Sequence, residues 1–269
     1  MLAYGIFYGI LRLFGGLLQP SLSAWSVGSS DATSTTTNEA DLQAERLRLA
    51  SEWRSRLLAV VNASLLSIGS FLCFAEWPRY DPPSEGYMKR IDIRIDCFSS
   101  HPVVFASLFV GYLQWDLCWL VWHRRSHPDL GSLIHHTIFI AVTHFVLWGT
   151  YFRKPFAWLS LTEVSTPLLH LRWFLAATGK KESILYVATS AGFALAFLST
   201  RVVGYGLGLA DLWRSCDVWR ESNGLWGVVI GLNLAYGLNL FWSVKVFSAL
   251  VRAVTGKPSR SSKPKPKQQ

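Results

Sequence analysis

The chain alternates between long apolar stretches and short clusters of charge, proline and glycine. A helix needs about 20 mostly apolar residues to cross a bilayer, and backbone groups in lipid must be satisfied within the helix itself. Six stretches meet this pattern. The first runs from about Leu57 to Ala75, and the second from about Val103 to Trp122, after a polar loop with Asp81, Pro82 and Pro83. A third, Leu133 to Trp148, and a fourth, Phe156 to Leu175, are joined by Tyr151 to Pro155, which reads as a tight hairpin with basic anchors at Arg153 and Lys154. The fifth spans about Ile184 to Leu209 and the sixth about Leu225 to Leu250. Barrel strands would be shorter and would alternate in polarity, so the pattern predicts an all-α integral membrane bundle of about six helices.

The flanks divide from this unit by composition. Residues 1–18 are apolar and Gly-rich with a single cation, Arg12, and predict a hydrophobic interfacial or anchoring helix; a signal sequence would begin with basic residues. Residues 19–55 read as a Ser/Thr-rich linker followed by a charged helix, residues 56–252 as the membrane domain, and residues 253–269 as a basic, Pro/Ser-rich tail. Overall, 51% of residues are hydrophobic and only 16% charged, against about 25% charged in soluble domains. The net charge of +9 does not form the basic and aromatic surface of a nucleic-acid binder; it flanks the apolar runs.

Those flanking cations set the expected topology. Fifteen Lys and Arg residues fall before the first span, after the second, after the fourth and after the sixth, whereas eight fall in the other three loops. Both termini are therefore predicted to be cytosolic. The four cysteines have no C-x-x-C spacing; Cys97 and Cys216 fall in loops on the same predicted lumenal side, either bonded or as free thiols. The tail ends Lys265-Pro266-Lys267-Gln268-Gln269, a K-x-K-x-x terminus. It resembles the dilysine address that coat proteins read to return membrane proteins to the endoplasmic reticulum, and its alternative reading is a polybasic contact with anionic lipid.

Ionisable residues at membrane depth cost several kcal/mol and face the bundle interior by default. They are Asp116 in the second span, His135, His136 and His144 in the third, Glu163, His170 and Arg172 in the fourth, Arg201 in the fifth and Lys245 in the sixth, with Asn239 a neutral polar residue in the sixth. Glu163, Pro167 and His170 share one helical face, as do His136 and His144, while His135 points about 100° away from His136. Arg201 is expected to pair with Asp116 or Glu163, whereas Arg172 and Lys245 can snorkel to headgroups. Gly224, Gly227 and Gly231 form a small-residue stripe suited to close helix packing. The histidines lack the i, i+4 pair and carboxylate of a helical zinc motif, so no metal site is expected.

The stretch Leu161 to Phe174, containing Glu163-Val164-Ser165-Thr166-Pro167 and Arg172-Trp173-Phe174, resembles the ELSTPFLNxRWFL signature of the TLC-domain-containing subfamily. That family is named for the translocating-chain-associating protein, the ceramide synthases and a lipofuscinosis protein. Asp116, the His135-His136 pair, Arg201-Val202 and the run Leu238 to Trp242 before Lys245 stand where that subfamily has such residues, and His170 departs from its usual asparagine. The resemblance implies a TLC-type helical bundle acting in lipid homeostasis, binding or remodelling membrane lipids or fatty-acyl groups in an intramembrane cavity. Glu163, His170, Arg172, Arg201 and Asn239 would then hold the lipid. In ceramide synthases the histidine pair serves acyl transfer, which would make His135, His136 and Asp116 catalytic and acyl-CoA a co-substrate, with no other cofactor. Those enzymes carry an H-D-x-x-D-x-x-L-E-x-x-K run that this chain lacks. A third reading is a trafficking or cargo receptor of the endoplasmic reticulum whose tail recruits coat proteins. Replacing Lys265 and Lys267 with serine is expected to release the protein from the endoplasmic reticulum, as read by fluorescence microscopy; an unchanged distribution would refute the address.

Overall fold

The structure is a computed structural model that describes residues 1–13, 39–76, 88–90, 101–123, 130–147, 150–221 and 225–255. The charged tail with Lys265 and Lys267, Cys97 and the linker before Glu39 lie outside the described residues. The helices are α1 (Leu2–Leu13), α2 (Glu39–Glu76), α3 (His101–Trp122), α4 (Leu130–Leu147), α5 (Arg153–Leu161), α6 (Thr166–Ala177), α7 (Ile184–Phe197), α8 (Tyr205–Arg214), the single turn α9 (Cys216–Trp219) and α10 (Leu225–Thr255). Two three-residue strands, β1 (Met88–Arg90) and β2 (Thr150–Phe152), pair antiparallel with Lys89 opposite Tyr151.

Four stretches, Leu42–Ala75, Val103–Trp122, Ile184–Arg214 and Leu225–Val251, are long and apolar enough to cross a membrane. The two other predicted spans differ for physical reasons. Helix α4 has 18 residues, three of them histidine, so at about 1.5 Å per residue its length of about 27 Å falls slightly short of a hydrocarbon core of about 30 Å. The predicted fourth span is not one helix: a 3₁₀ turn at Thr162–Ser165 divides it into α5 and α6. The predicted charged helix and first span are, conversely, continuous. Helix α2 has 38 residues, roughly 57 Å of rise, so its charged first half must extend beyond the apolar layer.

The packing closes a ring. Helix α2 contacts α3, α5 and α6, α3 packs on α4, α4 on α10, α10 on α7, and α7 on α6. Leu58, Leu66, Ala106, Phe109, Phe139, Leu212 and Val229 lie in the buried core, while Phe71, Ile184, Leu195, Leu234 and Val244 point outward, as a bilayer solvent permits. Gly69 lies directly under the ring of Phe105, where any Cβ would collide. Of the predicted glycine stripe, Gly231 serves close packing, since a Cβ there would lie 2.7 Å from Val142, whereas Gly227 faces open space. Gly224 is outside the described residues. Pairing of β1 with β2 brings the second and fourth inter-helix connections to the same face of the bundle, the relative arrangement that six alternating passes require.

Helix α1 docks against α2 and α3. Tyr4 donates its hydroxyl to Asn62 Oδ1 at 2.9 Å in a buried contact, and its ring meets that of Tyr112 edge-on. Tyr8 lies against Trp115 and Ser51. Asn62, the asparagine of the chain's one glycosylation sequon, is therefore buried within a span and already bonded. Removing one partner of a buried hydrogen bond costs about 1–3 kcal/mol. Tyr4→Phe is expected to lower the thermal unfolding temperature in detergent, and deletion of residues 2–13 to lower it further; a Tyr4→Phe protein as stable as the wild type would contradict this contact.

Candidate functional site

The polar groups of the bundle interior come from the three contacts of α4 with α3, of α6 with the fifth pass, and of α10 with both. His136 is buried on α4, and its Nε2 donates to Asp116 Oδ2 on α3 at 2.9 Å. Its Nδ1 donates to the carbonyl of Ser132, one turn earlier. Both ring nitrogens thus face oxygen acceptors, so the two bonds form together only when the pair carries the extra proton on the ring or on the carboxyl. Ser55 of α2 donates to the second oxygen of Asp116 at 3.4 Å. Three helices meet at this one carboxylate. His144, on the same face of α4 as His136, also turns to α3, where the Gln114 amide donates to its Nε2.

Arg201 occupies the second half of this interior. It pairs with Glu163 at 3.4 Å, and the two side chains are only 11% and 14% exposed. Its Nε also donates to Ser165 at 3.0 Å and its Nη2 to Thr166 at 2.9 Å. The expected alternative partner, Asp116, is taken by His136. Both partners stand on irregular backbone: Glu163 on the 3₁₀ turn Thr162–Ser165, and Arg201 on a π-helical segment, Leu198–Gly204, between α7 and α8. A π turn widens the helix and re-aims its side chains, and such turns recur at functional sites. Pro167 at the start of α6 lacks the N–H that would continue the regular ladder.

Helix α10 brings the third wall. Tyr236 donates its hydroxyl to the carbonyl of Val202, next to Arg201, and the ring of Trp242 lies 5.7 Å from that of His135. Asn239 sits three residues from each and so on the same helical face. It is 2% exposed, and its Oδ1 accepts no hydrogen bond among the described residues. His135 touches Phe139, His136 and Trp242 through ring contacts and makes no hydrogen bond among the described residues. The interior therefore holds the Asp116–His136 and Glu163–Arg201 pairs beside an imidazole and a carboxamide oxygen with no hydrogen bond among the described residues, and the buried indole Nε1 of Trp158 on α5 is a further such group.

The remaining predicted residues meet other partners. The Nδ1 of His170 accepts from Arg56 of α2, which also pairs with Glu52 and lies 4.5 Å above the ring of Trp173. Arg172 faces α7, donating to Ser190 at 3.1 Å and stacking over Tyr186. Ser55, Arg56 and Gln114 were not singled out as site residues from the sequence; only the facing helix shows what they meet. Among the described residues Cys216 has no disulfide bond, and Cys97 lies outside them. No group of three or more His, Cys, Asp or Glu among the described residues is arranged to hold a metal.

A family model described as TLC domain matches residues 52–248. The chain is 22% identical over 223 residues to TLC domain-containing protein 4-B of Danio rerio, covering 77% of this chain and 76% of that protein. It is 23% identical over 146 residues to TLC domain-containing protein 4 A of Dictyostelium discoideum, covering 52% of this chain and 55% of that protein. No solved structure matches.

Truncating one partner of a buried ion pair typically costs about 3–5 kcal/mol, because the other charge is left uncompensated. Glu163→Ala should therefore lower the unfolding temperature in detergent more than Glu163→Gln, whose amide oxygen still accepts from Arg201. Adding Arg201→Leu to Glu163→Ala should cost less than the two single effects summed. Additive effects would show that the pair contributes no coupling.

Proposed function

The chain belongs to the TLC-domain family, and from that premise we propose that it binds or remodels membrane lipids or fatty-acyl groups at its interior polar centre. The observation that carries this reading is the unsatisfied Oδ1 of Asn239, buried on the α10 face between Tyr236 and Trp242 and accompanied by the unbonded ring of His135. A buried acceptor without a donor costs about 1–3 kcal/mol, so a donor from outside the chain is favoured there. A lipid hydroxyl, amide N–H or ammonium group supplies one, with its acyl chain lying among the apolar helices. Arg201 and Glu163 shape the far wall, and Asp116 holds His136 in a fixed orientation.

A second reading, acyl-CoA-dependent acyl transfer, has a specific observation in its favour. Both nitrogens of His136 are committed to acceptors, while those of His135 are unbonded, so His135 is the ring with a lone pair to offer as base or nucleophile. In that reading His136 and Asp116 position His135 through the edge contact of the two rings. Residence in the endoplasmic reticulum, through Lys265 and Lys267 and the coat proteins they would recruit, belongs to the same proposal.

Lipid retained by the purified protein, counted by native mass spectrometry, tests the reading. Asn239→Leu should lower retention roughly fivefold, the factor for a lost bond of about 1 kcal/mol. Retention unchanged in Asn239→Leu and His135→Ala would refute the centre as a lipid site. Incubation with acyl-CoA and a long-chain base or lysolipid separates the two readings: an acylated product lost in His135→Ala identifies an acyltransferase, and retained lipid without product identifies a binding protein.

A further inference from the structure

A cleft of about 540 Å³ opens between the end of α6, the start of α7 and the last third of α10. Among the described residues three cations line it, Arg172, Lys181 and Lys245, and no carboxylate does. None of the three forms an ion pair among the described residues. Arg172 is partly buried and held by two contacts, its Nε on Ser190 and its guanidinium over Tyr186, which leave its terminal nitrogens free to donate. Lys245 lies against the face of Phe241, 4.5 Å from the ring centre. The cleft also sits at the N-terminal end of α7, whose cap is Ser183 and whose dipole adds positive potential there.

The rest of the lining is largely apolar and hollow. Ala191 and Ala194 on α7 face Ala249 on α10, and these small side chains leave the space that larger residues would fill. The volume falls within the range of small-molecule sites, about 300–1,000 Å³. Cations set along an otherwise largely apolar trough on a membrane bundle match one chemistry: a negative headgroup attached to an acyl chain. None of the residues of the interior polar centre, His135, His136, Asp116, Glu163, Arg201 or Asn239, lines this cleft.

We infer that the cleft is a separate binding site for an anionic phospholipid drawn from the bilayer, with Arg172, Lys181 and Lys245 on its headgroup and one acyl chain along Ala191, Ala194 and Ala249. It shares with the preceding reading only the premise that the chain holds lipid. Arg172 supplies the directed donors, because its fork is already oriented by Ser190, and the two exposed lysines supply charge. Lys181, which contributes to the topology as a flanking cation, here has a second role. By the positive-inside pattern the headgroup lies in the cytosolic leaflet, where anionic lipids concentrate.

The test uses the full-length protein in detergent, titrated with phosphatidylglycerol or with phosphatidylcholine and read by native mass spectrometry. The wild type should bind phosphatidylglycerol more tightly. Each lysine near a membrane surface is worth roughly a fivefold change in binding of an anionic lipid. The double variant Lys181→Gln, Lys245→Gln should therefore lose most of the preference while binding phosphatidylcholine as before. Ala191→Trp, which fills the trough, should weaken both lipids. Both lysines are exposed, and a circular dichroism spectrum unchanged in the double variant separates a headgroup effect from misfolding. Equal affinity of the wild type for the two lipids, or an undiminished preference in the double variant, would overturn the inference. So would an equal loss in Lys180→Gln, which lies outside the cleft, since that would mark a diffuse basic surface. Asn239→Leu leaves the cleft intact, so a preference kept there while lipid retention falls separates the two sites.

Discussion

A charge held at membrane depth has no water to turn to, and the interior of this bundle is arranged around that constraint. Asp116 receives His136 and Ser55, and Glu163 receives Arg201. The first ties α3 to its chain neighbours α4 and α2, and the second ties the turn before α6 to the fifth pass. In a membrane there is little hydrophobic force between helices, so such polar contacts and the close approaches at Gly69 and Gly231 have a large share in deciding which helices are neighbours.

The irregular backbone follows from the same requirement. The 3₁₀ turn at Thr162–Ser165 and the π segment at Leu198–Gly204 face one another, and the Arg201 to Glu163 pair with its bonds to Ser165 and Thr166 spans them. A regular helix at either position would turn these side chains toward different neighbours. The departure from regular geometry is tolerated because the freed backbone lies against protein, not lipid.

Around these ion pairs the groups open to a ligand lie in two places. Asn239 and His135 stand inside, on the α10 and α4 walls, while Arg172, Lys181 and Lys245 stand at the cleft between α7 and α10. The two places differ in chemistry. The inner one offers an acceptor and an uncommitted imidazole, suited to a donor group; the cleft offers positive charge along a largely apolar trough. Family membership as a TLC-domain protein supports a lipid-related role for both, and their separation means that one lipid need not serve the two.

Much of the architecture was legible from composition and run length, because a spanning helix must satisfy its own backbone and can be read residue by residue along one segment. The apolar runs and the inward placement of Asp116, His136, Glu163 and Arg201 follow from that local rule, while the relation to the TLC domain was carried by the residues of the Leu161 to Phe174 motif. The break in the fourth pass was less visible: Pro167 marks a missing donor, but neither the 3₁₀ turn before it nor the π segment that faces it has a signature in hydropathy. Partner choice was legible only in part. The sequence narrowed Arg201 to Asp116 or Glu163, named no partner for His170, and treated Lys181 as a flanking charge. Only the tertiary structure decided that Asp116 belongs to His136, that His170 belongs to Arg56, and that Lys181 meets Arg172 and Lys245 at one cleft. The reason is physical: burial in lipid is a property of one segment, whereas pairing depends on which segments approach and at what angle, and that is set by contacts among residues far apart in the chain.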